Sequence, residues 1–85
     1  MSTNAIYPGT FDPITYGHIN ILEKASRLFD KVILSVAAYT DKETLFSLQE
    51  RYELCLESVK HLSNVEVYTF EGLAVDFARS QNCSV

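Results

Sequence analysis

At 85 residues the chain has room for one small domain and no second one. Seven basic residues against eleven acidic ones leave a net charge of −4, which excludes recruitment of nucleic acid or an acidic membrane by bulk charge. The hydrophobic content of 47% suits a core-forming globular protein, yet no run approaches the roughly 18 apolar residues that span a bilayer. Any anionic ligand must therefore be held by local geometry.

The first predicted element is a short strand, Ala5-Ile6-Tyr7, starting near Thr3. Residues 8 to 18 follow it, with two glycines and two prolines in eleven positions, and predict a tightly shaped turn. A helix is predicted from Gly17 to Asp30: Ile19, Leu22, Ala25 and Phe29 share one face, while Glu23, Lys24 and Arg27 lie away from it. Val32 to Ala38 is a nearly unbroken apolar run, the pattern of a strand covered on both faces and hence of a parallel sheet.

Ser47-Leu48-Gln49-Glu50 is a capping box that opens a second helix, whose buried stripe is Leu48, Tyr52, Cys55, Val59 and Leu62. Asn64 to Phe70 alternates as a third strand, and Gly72 to Arg79 predicts a third short helix. Cys83-Ser84-Val85 has the character of a fourth strand's opening. The fold expected is α/β, a Rossmann-like doubly wound parallel sheet in the order β-α-β-α-β-α plus the start of a strand. In such a sheet the fourth strand returns past the first and creates a crevice at the switch point. With the first strand's edge left open, residues 1–85 read as the N-terminal part of one larger domain.

Cys55 and Cys83 are far apart and lack a CxxC or a histidine at metal spacing, so reduced thiols are expected. No basic segment followed by an apolar stretch marks a signal peptide, and a cytoplasmic location is expected.

The chemistry concentrates in the turn. A helix start offers unpaired N–H groups and partial positive charge to an anion. Gly9 is expected to let a ligand approach the backbone, Thr10 and the Phe11 N–H to donate to phosphate oxygens, and Gly17 to keep the helix start clear. His18 aims a donor at the same volume. A cation in the first turn opposes the helix dipole, and that penalty suggests a role. Asp12, in a Phe-Asp-Pro turn, is expected to bond neighbouring N–H groups, and Glu50, Glu53 and Glu57 to form a solvated helix stripe. None of the turn residues is well placed as a nucleophile, so alignment and charge stabilisation remain.

Tyr7-Pro8-Gly9-Thr10-Phe11-Asp12-Pro13 with Thr15-Tyr16-Gly17-His18 resembles the signature of the phosphopantetheine adenylyltransferase family, nucleotidyltransferases with an H/T-x-G-H motif. The likeness extends through Phe46-Ser47-Leu48-Gln49-Glu50-Arg51, Asn64-Val65-Glu66-Val67 and Phe77-Ala78-Arg79. Related cytidylyltransferases and nicotinate mononucleotide adenylyltransferases usually carry histidine at the position of Thr15, which favours the phosphopantetheine branch. Position 16 is often asparagine in the family, and Tyr16 is expected to face outward.

The resemblance implies that ATP and 4′-phosphopantetheine give dephospho-coenzyme A and pyrophosphate, with magnesium accompanying ATP. It implies that Thr10 touches both substrates, that the Phe11 backbone holds ATP and that His18 binds the nucleotide phosphates. Lys42 would hold the phosphopantetheine phosphate and Ala74 would line the pantetheine site. The family is commonly a homohexamer and its members are longer, adding an Arg-Gly-Leu-Arg segment, an acidic nucleotide contact and a Ser-rich ATP motif. Two other readings stand beside this one. One is transfer to a different phosphate acceptor. The other is a non-catalytic half-domain that binds phosphate compounds or self-associates.

Overall fold

Val32, Ile33, Leu34, Ser35 and Val36 are each at most 1% exposed, and this run is the middle strand of a three-stranded sheet. The computed structural model describes residues 3–38 and 44–71. In chain order the elements are β1 (Asn4–Gly9), α1 (Tyr16–Leu28), β2 (Lys31–Ala37), α2 (Leu48–Val59) and β3 (Val65–Phe70). The strands lie in the order β1-β2-β3, and both pairs are parallel. This is the Rossmann-like α/β alternation expected from the sequence. The predicted helix at 72–79 and the strand opening at 83–85 lie outside the described residues.

Register divides the sheet into two apolar faces. Ala5 pairs with Val32, Tyr7 with Leu34 and Gly9 with Val36, while Val32 and Leu34 pair on the other side with Val65 and Val67. These positions meet Leu22 of α1 and Cys55 and Val59 of α2 in one core, so both helices cover the same face. On the opposite face Ile6, Ile33 and Phe70 are also buried, together with Ser35, whose hydroxyl makes no hydrogen bond among the described residues. Burial on both faces is why β2 carries no polar alternation.

Each helix starts on a reciprocal cap. In α2 the Glu50 N–H donates to Ser47 Oγ at 3.2 Å and the Ser47 N–H donates to Glu50 Oε1 at 3.0 Å. The backbone N–H and then the hydroxyl of Ser47 hold the Glu50 carboxyl below its ordinary pKa. The α2 stripe expected from spacing is the one that packs: Leu48, Tyr52, Cys55, Val59 and Leu62 all join the core. The α1 helix starts one residue earlier and ends two residues earlier than expected, because Thr15 is its N-cap and Phe29 its extended C-cap. Its last carbonyls are taken by Asn64, whose Nδ2 donates to Ser26 O at 2.7 Å and Phe29 O at 3.1 Å. That side chain fastens the end of α1 to the entry of β3.

Leu22 is the one fully buried side chain of α1, so Leu22→Ala should lower unfolding free energy by about 2–5 kcal/mol, read by urea denaturation. A smaller loss than Ile21→Ala, at a 52% exposed position on the same helix, would contradict the packing described. Cys55 is buried and its thiol is pushed up to about 11 by burial, against a smaller lowering by Arg51. Cys55 should therefore resist iodoacetamide at neutral pH in the folded protein and react once urea is added, as peptide mapping would show.

Candidate functional site

The strand β1 ends on Gly9, and six residues later Thr15 caps α1, so residues 10–15 form the turn at the carboxyl end of the sheet. This is the edge where parallel α/β sheets carry their ligands. The turn does not follow local preference. Phe11 holds φ at +52°, a left-handed value that a bulky residue rarely enters, and the Asp12–Pro13 peptide is cis. The Phe11 ring is 4% exposed and packs edge-on to Tyr7, with centroids 5.5 Å apart. Tertiary packing therefore imposes the conformation.

Gly9 is explained by that ring. A Cβ on Gly9 would lie 3.0 Å from Phe11 Cε2 and Cζ, tighter than ordinary contact, so a side chain there would push the buried ring aside by a few tenths of an ångström. Beside the ligand approach expected from the sequence, the structure thus supplies an internal reason for glycine. At Gly17 an added Cβ would meet only Thr15 Oγ1, at an ordinary 3.6 Å. Protein packing alone does not demand glycine there.

His18 occupies the third position of α1 and closes its cap. The His18 N–H donates to Thr15 Oγ1 at 3.3 Å, and the Thr15 N–H donates to His18 Nδ1 at 3.0 Å. The imidazole thus takes the place that Glu or Gln holds in the usual capping box. The expected penalty is a cap instead, because the ring turns an acceptor to the helix start. A backbone N–H only donates, so the network assigns the lone pair to Nδ1 and, in the neutral ring, the proton to Nε2. Edge-on contacts to Phe11 at 5.0 Å and Tyr7 at 6.1 Å between centroids fix the ring further.

The Asp12 carboxylate is structural, as expected, but its partners are remote in sequence. It accepts from the Leu45 N–H at 2.6 Å and the Phe46 N–H at 2.8 Å, on the segment that leads into α2. Both oxygens are engaged there. Tyr16 faces outward, 90% exposed. Thr10, Phe11 and His18 are brought together at the carboxyl end of β1, whereas Lys42 and Ala74 lie outside the described residues. Among the described residues no group of three or more His, Cys, Asp or Glu side chains stands ready to hold a metal ion. None of the described helices is long and apolar enough to cross a membrane.

The sequence reading passed over Arg51. It is 2% exposed, and its guanidinium reaches Thr10. The available signal was spacing, because Arg51 stands three residues after Leu48 and four before Cys55, inside the apolar stripe of α2.

A parallel βαβ unit whose first turn runs from the carboxyl end of β1 to the start of α1 places the chain in the Rossmann-like α/β class. Within that class the family model described as cytidylyltransferase-like matches residues 6–85, and the chain belongs to that family. It is 51% identical over 85 residues to the phosphopantetheine adenylyltransferase of Nautilia profundicola, covering 100% of this chain and 55% of that protein. To the phosphopantetheine adenylyltransferase of Campylobacter hominis it is 52% identical over 82 residues, covering 96% of this chain and 52% of that protein. The chain thus spans about half the length of these curated relatives.

Among solved structures, the NadR protein in complex with NAD and AMP-PNP is similar with a TM-score of 0.73 and 27% identity, over 84% of this chain and 21% of that one. The Plasmodium falciparum nicotinic acid mononucleotide adenylyltransferase complexed with NaAD shares the fold. Its TM-score is 0.76 at 21% identity, over 96% of this chain and 46% of that one.

The two glycines of the turn should separate on substitution. Gly9→Ala must displace the Phe11 ring and should destabilise the fold by about 1–3 kcal/mol. Gly17→Ala should leave thermal stability within about 1 kcal/mol, since alanine also has the better helix propensity. Equal losses in paired thermal melts would contradict the roles assigned here.

Proposed function

We propose that this chain forms the phosphate-handling part of a phosphopantetheine adenylyltransferase, which joins ATP and 4′-phosphopantetheine to give dephospho-coenzyme A and pyrophosphate. The observation that carries the reading is the convergence of Thr10, Phe11 and His18, with His18 Nδ1 tied back to Thr15 and Nε2 left as the donor. The identity of about half to proteins of that name supports 4′-phosphopantetheine as the acceptor.

In the reaction an oxygen of the acceptor's phosphate attacks the α-phosphorus of ATP. A new P–O bond forms while the bond to the pyrophosphate oxygen breaks. The barrier is lowered by alignment and by donors placed where negative charge develops on the leaving group. Thr10 positions the attacking phosphate, the Phe11 backbone holds ATP, and His18 donates through Nε2 to the nucleotide phosphates. Lys42 binds the acceptor's phosphate and Ala74 lines the pantetheine arm; both assignments rest on the family likeness alone. Magnesium, when bound, neutralises phosphate charge. Asp12 has both oxygens committed to Leu45 and Phe46, so the ion would arrive on ATP rather than on this carboxylate. We assign the reaction to the cytoplasm and the working form to a homohexamer, both from the same likeness.

The test is pyrophosphate release by the protein carrying this chain, with magnesium-ATP and a panel of 4′-phosphopantetheine, nicotinate mononucleotide and cytidylyltransferase acceptors. Turnover is expected with phosphopantetheine alone, and His18→Ala should lower kcat by about 10²–10³. Preference for another acceptor would move the chain to a neighbouring branch of the family. Unchanged turnover in the His18 variant would remove the imidazole from the mechanism.

A further inference from the structure

Arg51 is the fourth residue of α2, at the helix end that disfavours cations, and it is 2% exposed. Its Nη1 donates to the Thr10 carbonyl at 3.0 Å and to the Ala37 carbonyl at 2.8 Å, and its Nε donates to the Phe46 carbonyl at 3.2 Å. Those carbonyls belong to the turn after β1, the last residue of β2 and the approach to α2. The guanidinium therefore sits where three chain segments converge at the carboxyl edge of the sheet.

Carbonyl oxygens satisfy N–H groups without cancelling a charge. Among the described residues Arg51 forms no ion pair: the three salt bridges there join Lys31 to Glu66, Lys60 to Glu57 and His61 to Glu23. Burying a cation is expensive in a fold of this size, and a neutral donor would serve the carbonyls with less desolvation. What the cation adds is a positive field directly behind Thr10, in a chain whose net charge is −4.

Asp12 completes the arrangement from the other side. It takes the N–H groups of Leu45 and Phe46 while Arg51 takes the Phe46 and Thr10 carbonyls. The turn after β1 and the segment entering α2 are thereby locked as one unit.

We propose that Arg51 is a positioning residue of the phosphate site: its planar fork fixes Thr10 and its buried charge draws a polyphosphate anion onto the turn. This rests on the phosphate-site reading of residues 10–18 given under Proposed function. The charge and the fork are separable, because lysine keeps the first and loses the second, and methionine keeps neither while preserving an apolar stem.

The test is titration of the ¹⁵N-labelled protein carrying this chain with inorganic pyrophosphate, following the amides of Thr10, Phe11 and His18, with amide dispersion reporting folding. Wild type should shift at all three positions. Arg51→Lys should bind several-fold more weakly and Arg51→Met at least about tenfold more weakly in its folded population, with a reduced dependence on salt. A purely structural arginine would lower stability and leave the affinity of the folded molecules unchanged. A dissociation constant within twofold of wild type in folded Arg51→Met would overturn the proposal, and if that variant does not fold, the same value in Arg51→Lys would do so. Absence of any shift in wild type would overturn the phosphate-site reading itself, and this proposal with it.

Discussion

Two charged side chains, Asp12 and Arg51, hold the turn after β1 against the segment that leads into α2, and the candidate site depends on that tie. The turn contains a phenylalanine at positive φ, which local propensity would not select. Four hydrogen bonds to backbone groups of the two segments, with a fifth to Ala37 at the end of β2, over-determine it. With the turn fixed, the Phe11 ring fills the space above Gly9, and the imidazole of His18 rests edge-on against that ring. The position of a candidate phosphate donor on α1 thus traces back to a carboxylate and a guanidinium that reach across to the next βα unit.

Much of the fold was legible in the sequence because its signals are local. An apolar run without alternation identified β2, and a repeat at helical spacing identified the buried face of α2. Ser47 and Glu50 announced their cap in the usual residue types. The same cap at α1 was missed because histidine stands where Glu or Gln is looked for, and the helix consequently begins one residue earlier. Asp12 was recognised as structural, yet its partners lie 33 and 34 residues away, a distance no local pattern records.

Gly9 and Arg51 show why the remainder was hidden. A glycine in a turn suggests backbone freedom or ligand approach, and only coordinates reveal that an aromatic ring occupies the space of its side chain. An arginine within an apolar helical stripe contradicts hydrophobic patterning, so the pattern alone gives it no place in the core. Such breaks in local consistency are where functional residues concentrate. Thr10, Phe11 and His18 stood out as candidates because one short motif carries them; in the structure Thr10 and Phe11 follow β1 and the His18 ring rests against that of Phe11.

The chemistry available to this arrangement is that of alignment and charge. Hydrogen-bond donors, a tautomer assigned by a backbone N–H and a buried cation lie along the carboxyl edge, while the described cysteine is sealed beneath α2. Such a site suits a direct displacement between phosphates, in which the protein supplies geometry and the substrates supply the reacting oxygens. The most direct test is a crystal structure of the protein carrying this chain with a non-hydrolysable ATP analogue. The account predicts phosphate oxygens within hydrogen-bonding distance of His18 Nε2, with Nδ1 still held by Thr15, and beside Thr10 and the Phe11 N–H. Phosphates seated away from the turn between β1 and α1 would contradict it.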